Sequence, residues 1–90
     1  MKIFEKKVRP SEKERHYIII PAKYMKCFPP PEVPFIVKIN KKPYKTYVDR
    51  YNRLRLGSRI FNELELDKSG SIFVIEKESE KVYSIKRASV

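Results

Sequence analysis

Cysteine is nearly missing from this chain: Cys27 is alone among 90 residues, and His16 is the sole histidine. An internal disulfide is therefore impossible, and one Cys with one His cannot supply the four ligands of a structural zinc site. Tryptophan is absent, and glycine stands only at positions 57 and 70. Two glycines so placed cannot build a glycine-rich phosphate loop. Long apolar runs are lacking too. The longest, residues 17–20 (YIII), ends at Pro21 and falls far short of a membrane span. The Lys-rich N-terminus has no apolar stretch behind it, so no secretory signal is expected. The expected setting is intracellular: cytoplasm, nucleoid, or nucleus in a eukaryote.

Acids are the scarce charge. Twenty-one Lys and Arg against eleven Asp and Glu leave +10. Residues 38–59 hold eight bases and one acid, Asp49, whereas residues 60–80 hold two bases and six acids. So uneven a distribution suits a molecule that turns one face to a polyanion and keeps the other soluble. A lysine-rich, merely solvated surface is the plainer alternative. No enzyme is expected: the acids sit between apolar residues as solvated faces, and a nuclease would gather several carboxylates beside its basic groove. No metal, cofactor or small-molecule substrate is implied.

What is present is the material of a small β-rich domain. Ninety residues make one domain, and 41% apolar content biased to Ile, Val, Tyr and Phe favours strands. Residues 2–8 read as a strand, and residues 9–15 (RPSEKER) as a polar, basic loop with a Pro-Ser turn signal. Residues 16–20 read as a strand buried on both faces. Pro21 ends it and opens one to two helical turns over residues 22–28, stopped by Pro29, Pro30 and Pro31. Residues 34–40 and 44–48 form a hairpin around the turn 40–43. After a basic turn at 49–52, residues 53–56 alternate, with Arg53 and Arg55 on one face and Leu54 and Leu56 on the other. Ser58 is the expected N-cap of a helix running to about Leu64. A turn at 67–70 leads to a closing hairpin, residues 71–76 and 81–86 around 77–80.

An internal repeat runs through this order. A shift of 36 lays Ile18 to Pro21 on Leu54 to Gly57, and Tyr24, Met25 and Phe28 on Ile60, Phe61 and Leu64. Residues 34–39 match 71–76 at a shift of 37. Each half is strand, helix, hairpin, and two such halves can interlock into a closed barrel without exposed edges.

Phe4-Glu5-Lys6, Pro10-Ser11-Glu12, Ile20-Pro21 and Phe28-Pro29 occur in an order and spacing that resembles the opening of the plant B-three DNA-binding domain. The likeness continues through residues 54–57, Ile60-Phe61 and residues 66–70, and so covers about residues 4–86. Where that family has Trp after the glycine, this chain has Ser58. The wider superfamily, the DNA-binding pseudobarrels, includes recognition domains of restriction enzymes such as EcoRII and BfiI. AbrB-type regulators are more distant kin. The resemblance implies a mainly β, seven-stranded open pseudobarrel with two short helices. It also implies that two arms clasp the major groove of duplex DNA. Carried onto this sequence, the first arm presents Lys6, Arg9, Ser11, Lys13 and Arg15, and the second Arg50, Tyr51, Asn52, Arg53 and Arg55.

Those side chains suit the task, since Arg can fork onto guanine, Asn onto adenine, and Lys and Ser onto phosphates. The plainer readings are a solvated strand face for Arg53 and Arg55 and an ordinary turn residue for Tyr51. Lys41 and Lys42 read as a solvated hairpin tip, His16 as a strand opener and Cys27 as a half-buried core residue. The expected function is DNA binding, by a small transcriptional regulator or nucleoid-associated factor. An interaction module or inhibitor with an acidic protein partner, or an RNA-binding protein, are the other readings. Because one chain carries both halves, a monomer is expected over an AbrB-like dimer.

Overall fold

The structure, a computed structural model, describes residues 1–66 and 71–88. Within them are seven strands and three short helices. The order is β1 (Lys2–Lys7), α1 (Pro10–Arg15), β2 (Tyr17–Ile19), a 3-10 helix (Ala22–Cys27), β3 (Phe35–Ile39), β4 (Lys42–Thr46), β5 (Arg53–Arg55), α2 (Ser58–Glu63), β6 (Ile72–Ser79) and β7 (Val82–Arg87). Five strands form one mixed sheet in the order β1-β6-β7-β3-β4, in which only β3 and β7 run parallel. The remaining two, β2 and β5, form a separate antiparallel ribbon.

The strand–helix–hairpin repeat is present, and its two halves meet on the ribbon. Ile18 pairs with Leu54, its own counterpart at a shift of 36. His16 and Asn52, also counterparts, both take left-handed backbone, at φ 61° and 63°. The Ile20 N–H donates to the Asn52 carbonyl at 2.7 Å, and the Leu56 N–H to the His16 carbonyl at 3.4 Å. A local two-fold axis therefore passes through the ribbon. The first strands of the two hairpins, β3 and β6, obey the same shift and not 37, whereas their turns, at 40–41 and 80–81, stand 40 apart. Phe35, Val37 and Ile39 are buried, and so are Ser71, Phe73 and Ile75.

The barrel does not close. The two-fold relates β3 to β6 and β4 to β7, so the parallel β3–β7 pair would have a β6–β4 mate. Instead β1 takes that edge of β6, pairing antiparallel from Lys2↔Glu76 to Lys7↔Ile72. β1 and β4 are left as the two edges of an open sheet.

The core fills the space between sheet, ribbon and helices. Ile18, Ile39, Leu54, Phe61, Leu66, Phe73 and Ile75 are fully buried. Tyr83 stacks on Phe28 at 4.9 Å between ring centres and meets Phe35 edge-on at 5.0 Å. Phe4 stacks on Tyr24, which ties β1 to the 3-10 helix. Such offset and edge-to-face pairs are the favoured aromatic geometries.

Four expectations are corrected. Residues 9–15 are not a loop: Pro10–Arg15 is helical. Pro10 takes the first helical position, where its missing N–H costs nothing, and the Glu12 carboxylate accepts the Arg9 N–H at 2.8 Å. Gly57, at φ 87°, is the N-cap of α2, and Ser58 is its first residue. β4 starts two residues early because the turn is only Asn40-Lys41, both at positive φ. Pro43 is tolerated within β4 because that strand is an edge. β6 runs on to Ser79, with a register irregularity between Lys77 and Ser79, so its hairpin turn is Glu80-Lys81 and not 77–80. The turn expected at 67–70 lies outside the described residues.

Candidate nucleic-acid interface

The ribbon joins the two basic segments that the chain keeps about 40 residues apart. β5 pairs with β2 along one edge: Arg55 opposite Tyr17 and Arg53 opposite Ile19. α1 lies along the other edge, with its charged residues outward. Arg9, Ser11, Lys13 and Arg15 are exposed.

The free edge of β2 is sealed by an ion pair. Glu12, fully buried, accepts the Ile19 N–H at 2.6 Å, while the Lys6 ammonium donates to the Ile19 carbonyl at 2.8 Å. The two side chains meet each other at 2.6 Å. Together they do what a neighbouring strand would do, taking both backbone polar groups of Ile19. Burying an acid and a base is tolerable only when each is paired and hydrogen-bonded, and here both are. Lys6 is thereby turned inward, with 16% of its side chain exposed. It holds α1 against the ribbon, and its neighbour Lys7 is exposed instead. Lys6, Lys7, Arg9 and Pro10 line a cleft of about 470 Å³ with Ile19 and Pro21.

The second segment is organised by Asp49, the one acid in the basic stretch. Its Oδ1 accepts the Tyr51 N–H at 2.9 Å and the Arg53 N–H at 3.0 Å, and its Oδ2 accepts Arg53 Nε at 2.8 Å and Arg55 Nε at 3.3 Å. The Asp49 N–H donates to the Arg53 carbonyl, which closes the turn. Burial pushes the Asp49 carboxyl up. The Arg53 and Tyr51 N–H groups and the Arg53 guanidinium outweigh it, so Asp49 sits below its ordinary value. A lowered carboxylate contributes its anchoring in full above its unfolded value and gives it up only as pH falls through the folded one.

The Arg53 guanidinium lies over the rings of Tyr51 at 4.9 Å and Tyr17 at 5.4 Å. Asp49 and the Tyr17 side chain favour its charged form, against some desolvation. Arg55 is half exposed, and Arg50, exposed, reaches Glu32 at 3.3 Å. Tyr47 and Tyr51 are exposed. Arg50, Arg53 and Arg55 line a hollow of about 310 Å³ with both tyrosines and Asp49. Asn52 contributes through its backbone: its left-handed φ turns the chain into β5, and its side chain makes no hydrogen bond among the described residues.

Two organising residues escaped the sequence reading, Asp49 and Glu12. Each carried a signal. An Asp whose side chain caps the N–H two residues on is a recurrent turn device, and Pro at a helix start followed by Glu is a capping pattern. Tyr17 and Tyr47 carried none, because their place beside the arginines depends on the β2–β5 pairing.

No helix among the described residues is long and apolar enough to cross a membrane. No family model and no curated protein sequence matches the chain. Among solved structures it is similar to the N-terminal domain of Helicobacter pylori LlaJI.R1. The TM-score is 0.76 at 18% identity, over 100% of this chain and 89% of that one. At that identity the likeness is one of fold.

Proposed function

We propose that this protein binds duplex DNA with the surface formed by α1, the β2–β5 ribbon and the 49–52 turn, acting as a small transcriptional regulator or nucleoid-associated factor. The observation that carries the reading is the ribbon itself. It brings Arg9, Lys13 and Arg15 from one segment and Arg50, Arg53 and Arg55 from the other onto elements that flank a single strand. The motif order that resembles the pseudobarrel DNA-binding domains supports the same reading.

The roles divide by freedom of the side chain. Lys7, Arg9, Lys13, Arg15 and Arg50 are exposed and suit phosphates. The fixed groups of the hollow suit base edges, which carry the sequence information. Five neutralised phosphates correspond to a slope near −4 to −5 in log affinity against log salt.

Fluorescence anisotropy on a random-sequence duplex and on single-stranded RNA, at several salt concentrations, tests this. The expected result is duplex binding with that slope, reduced by about two in Lys13→Ala/Arg15→Ala. Preference for the duplex is expected because single-stranded RNA presents no major groove for two arms to enter, and a paired, A-form stretch closes its own. Selection from a random duplex pool then separates a regulator, which enriches a motif, from a nucleoid factor, which does not. No duplex binding at low salt would end the DNA reading and leave the basic face to an acidic protein partner.

A further inference from the structure

The three arginines of the second segment are not equivalent, and the difference assigns them different tasks. Arg50 is 72% exposed, and Glu32 is its one ion-pair and hydrogen-bond partner among the described residues. Arg53 is 26% exposed, lies over two tyrosine rings and bonds Asp49 through Nε at 2.8 Å, with the Tyr17 side chain also against it. Arg55 is intermediate. Its Nε is held by Asp49 at 3.3 Å, and its side chain is 49% exposed. Its two Nη groups make no hydrogen bond among the described residues.

The Arg55 backbone is pinned on both sides. Its N–H donates to the Tyr47 carbonyl, and its carbonyl accepts the Thr46 hydroxyl. Across the ribbon it faces Tyr17. A fork set on a strand, steered at Nε by a carboxylate and free at both Nη groups, is pre-organised to donate two parallel hydrogen bonds. The base edge that accepts such a pair is guanine, through O6 and N7.

Resting on the DNA reading above, we infer that Arg55 is the guanine-reading residue and that Asp49, with the Arg53–tyrosine stack, is its positioning assembly. Arg53 then contributes rigidity, and Arg50 a phosphate contact. Asp49, though an acid facing a polyanion, is required for sequence preference while it opposes general affinity.

The test is selection from a random duplex pool, followed by anisotropy on the enriched site and on the same site with 7-deazaguanine at each guanine in turn. Wild type should enrich at least one invariant guanine and lose about tenfold or more in affinity when that base lacks N7. Arg55→Lys keeps the charge but not the fork. It should bind a random duplex as wild type does and be indifferent to the deaza substitution. Arg50→Lys should keep the preference. Asp49→Asn should bind random duplex more tightly than wild type and lose the preference. If Asp49→Asn fails to fold, as judged by circular dichroism, Arg55→Lys and the deaza probe still decide.

Retention of the guanine requirement in Arg55→Lys would overturn the assignment, as would a wild-type motif with no N7 dependence or no motif at all. Absence of any duplex binding by wild type would remove the DNA reading itself, a result distinct from these.

Discussion

At the scale of single residues, the folded state turns on two acids in a basic protein. Glu12 is the plainer case. Its carboxylate meets Lys6, the Arg9 N–H and the Ile19 N–H at once, and no solvent reaches it. Removing one member of such a pair strands the other, whereas removing both does not. Glu12→Ala should therefore destabilise the protein by about 3–5 kcal/mol. The double variant Lys6→Met/Glu12→Leu should cost well below the sum of its single changes. Urea denaturation of the four proteins in the cycle checks this, and additive losses would mean that the pair is not coupled. Nothing in the string RPSEKER marks Glu12 as buried. Its neighbours Ser11 and Lys13 are polar, and its burial follows from the packing of α1 on β2, while Glu14 on the same helix is exposed.

At the scale of elements, the entry to α2 is decided by one glycine. Gly57 combines φ 87° with ψ 164°, a region essentially closed to residues with a Cβ. A Cβ there would meet nothing within 4 Å, so the cost of Gly57→Ala is backbone strain alone. It should be about 1–3 kcal/mol, read from the urea midpoint, with the fold unchanged. A loss near zero would show that the turn relaxes. Most elements were legible from the sequence because their burial alternates as their residues do: Phe35, Val37 and Ile39 inward, Ile36 and Lys38 outward. The elements misread were those whose local signals conflicted. Pro10-Ser11 reads as a turn but starts a helix, and Pro43 reads as a break but sits on a sheet edge. Of the candidate site, the arginines were legible as a cluster. Their differing freedom was not, since it depends on Asp49 and on tyrosines brought by pairing across the ribbon.

At the scale of the molecule, a two-fold plan is carried out with unlike parts. His16 and Asn52, Pro21 and Gly57, Ile18 and Leu54 occupy matching places, yet the positions that flank the ribbon differ: Arg15 answers Tyr51, Tyr17 answers Arg53, and Ile19 answers Arg55. β1 breaks the plan again by taking the edge where β4 would lie. The backbone of a DNA duplex has a local dyad of its own and would accept such a molecule either way round. The unlike side chains are then what choose between the two placements. The site enriched from a random pool should accordingly read differently on its two halves, and a palindrome would imply two chains per site. On the DNA reading proposed above, a chain built this way would have a heading: invert its site, and it would present its other side to whatever lies upstream.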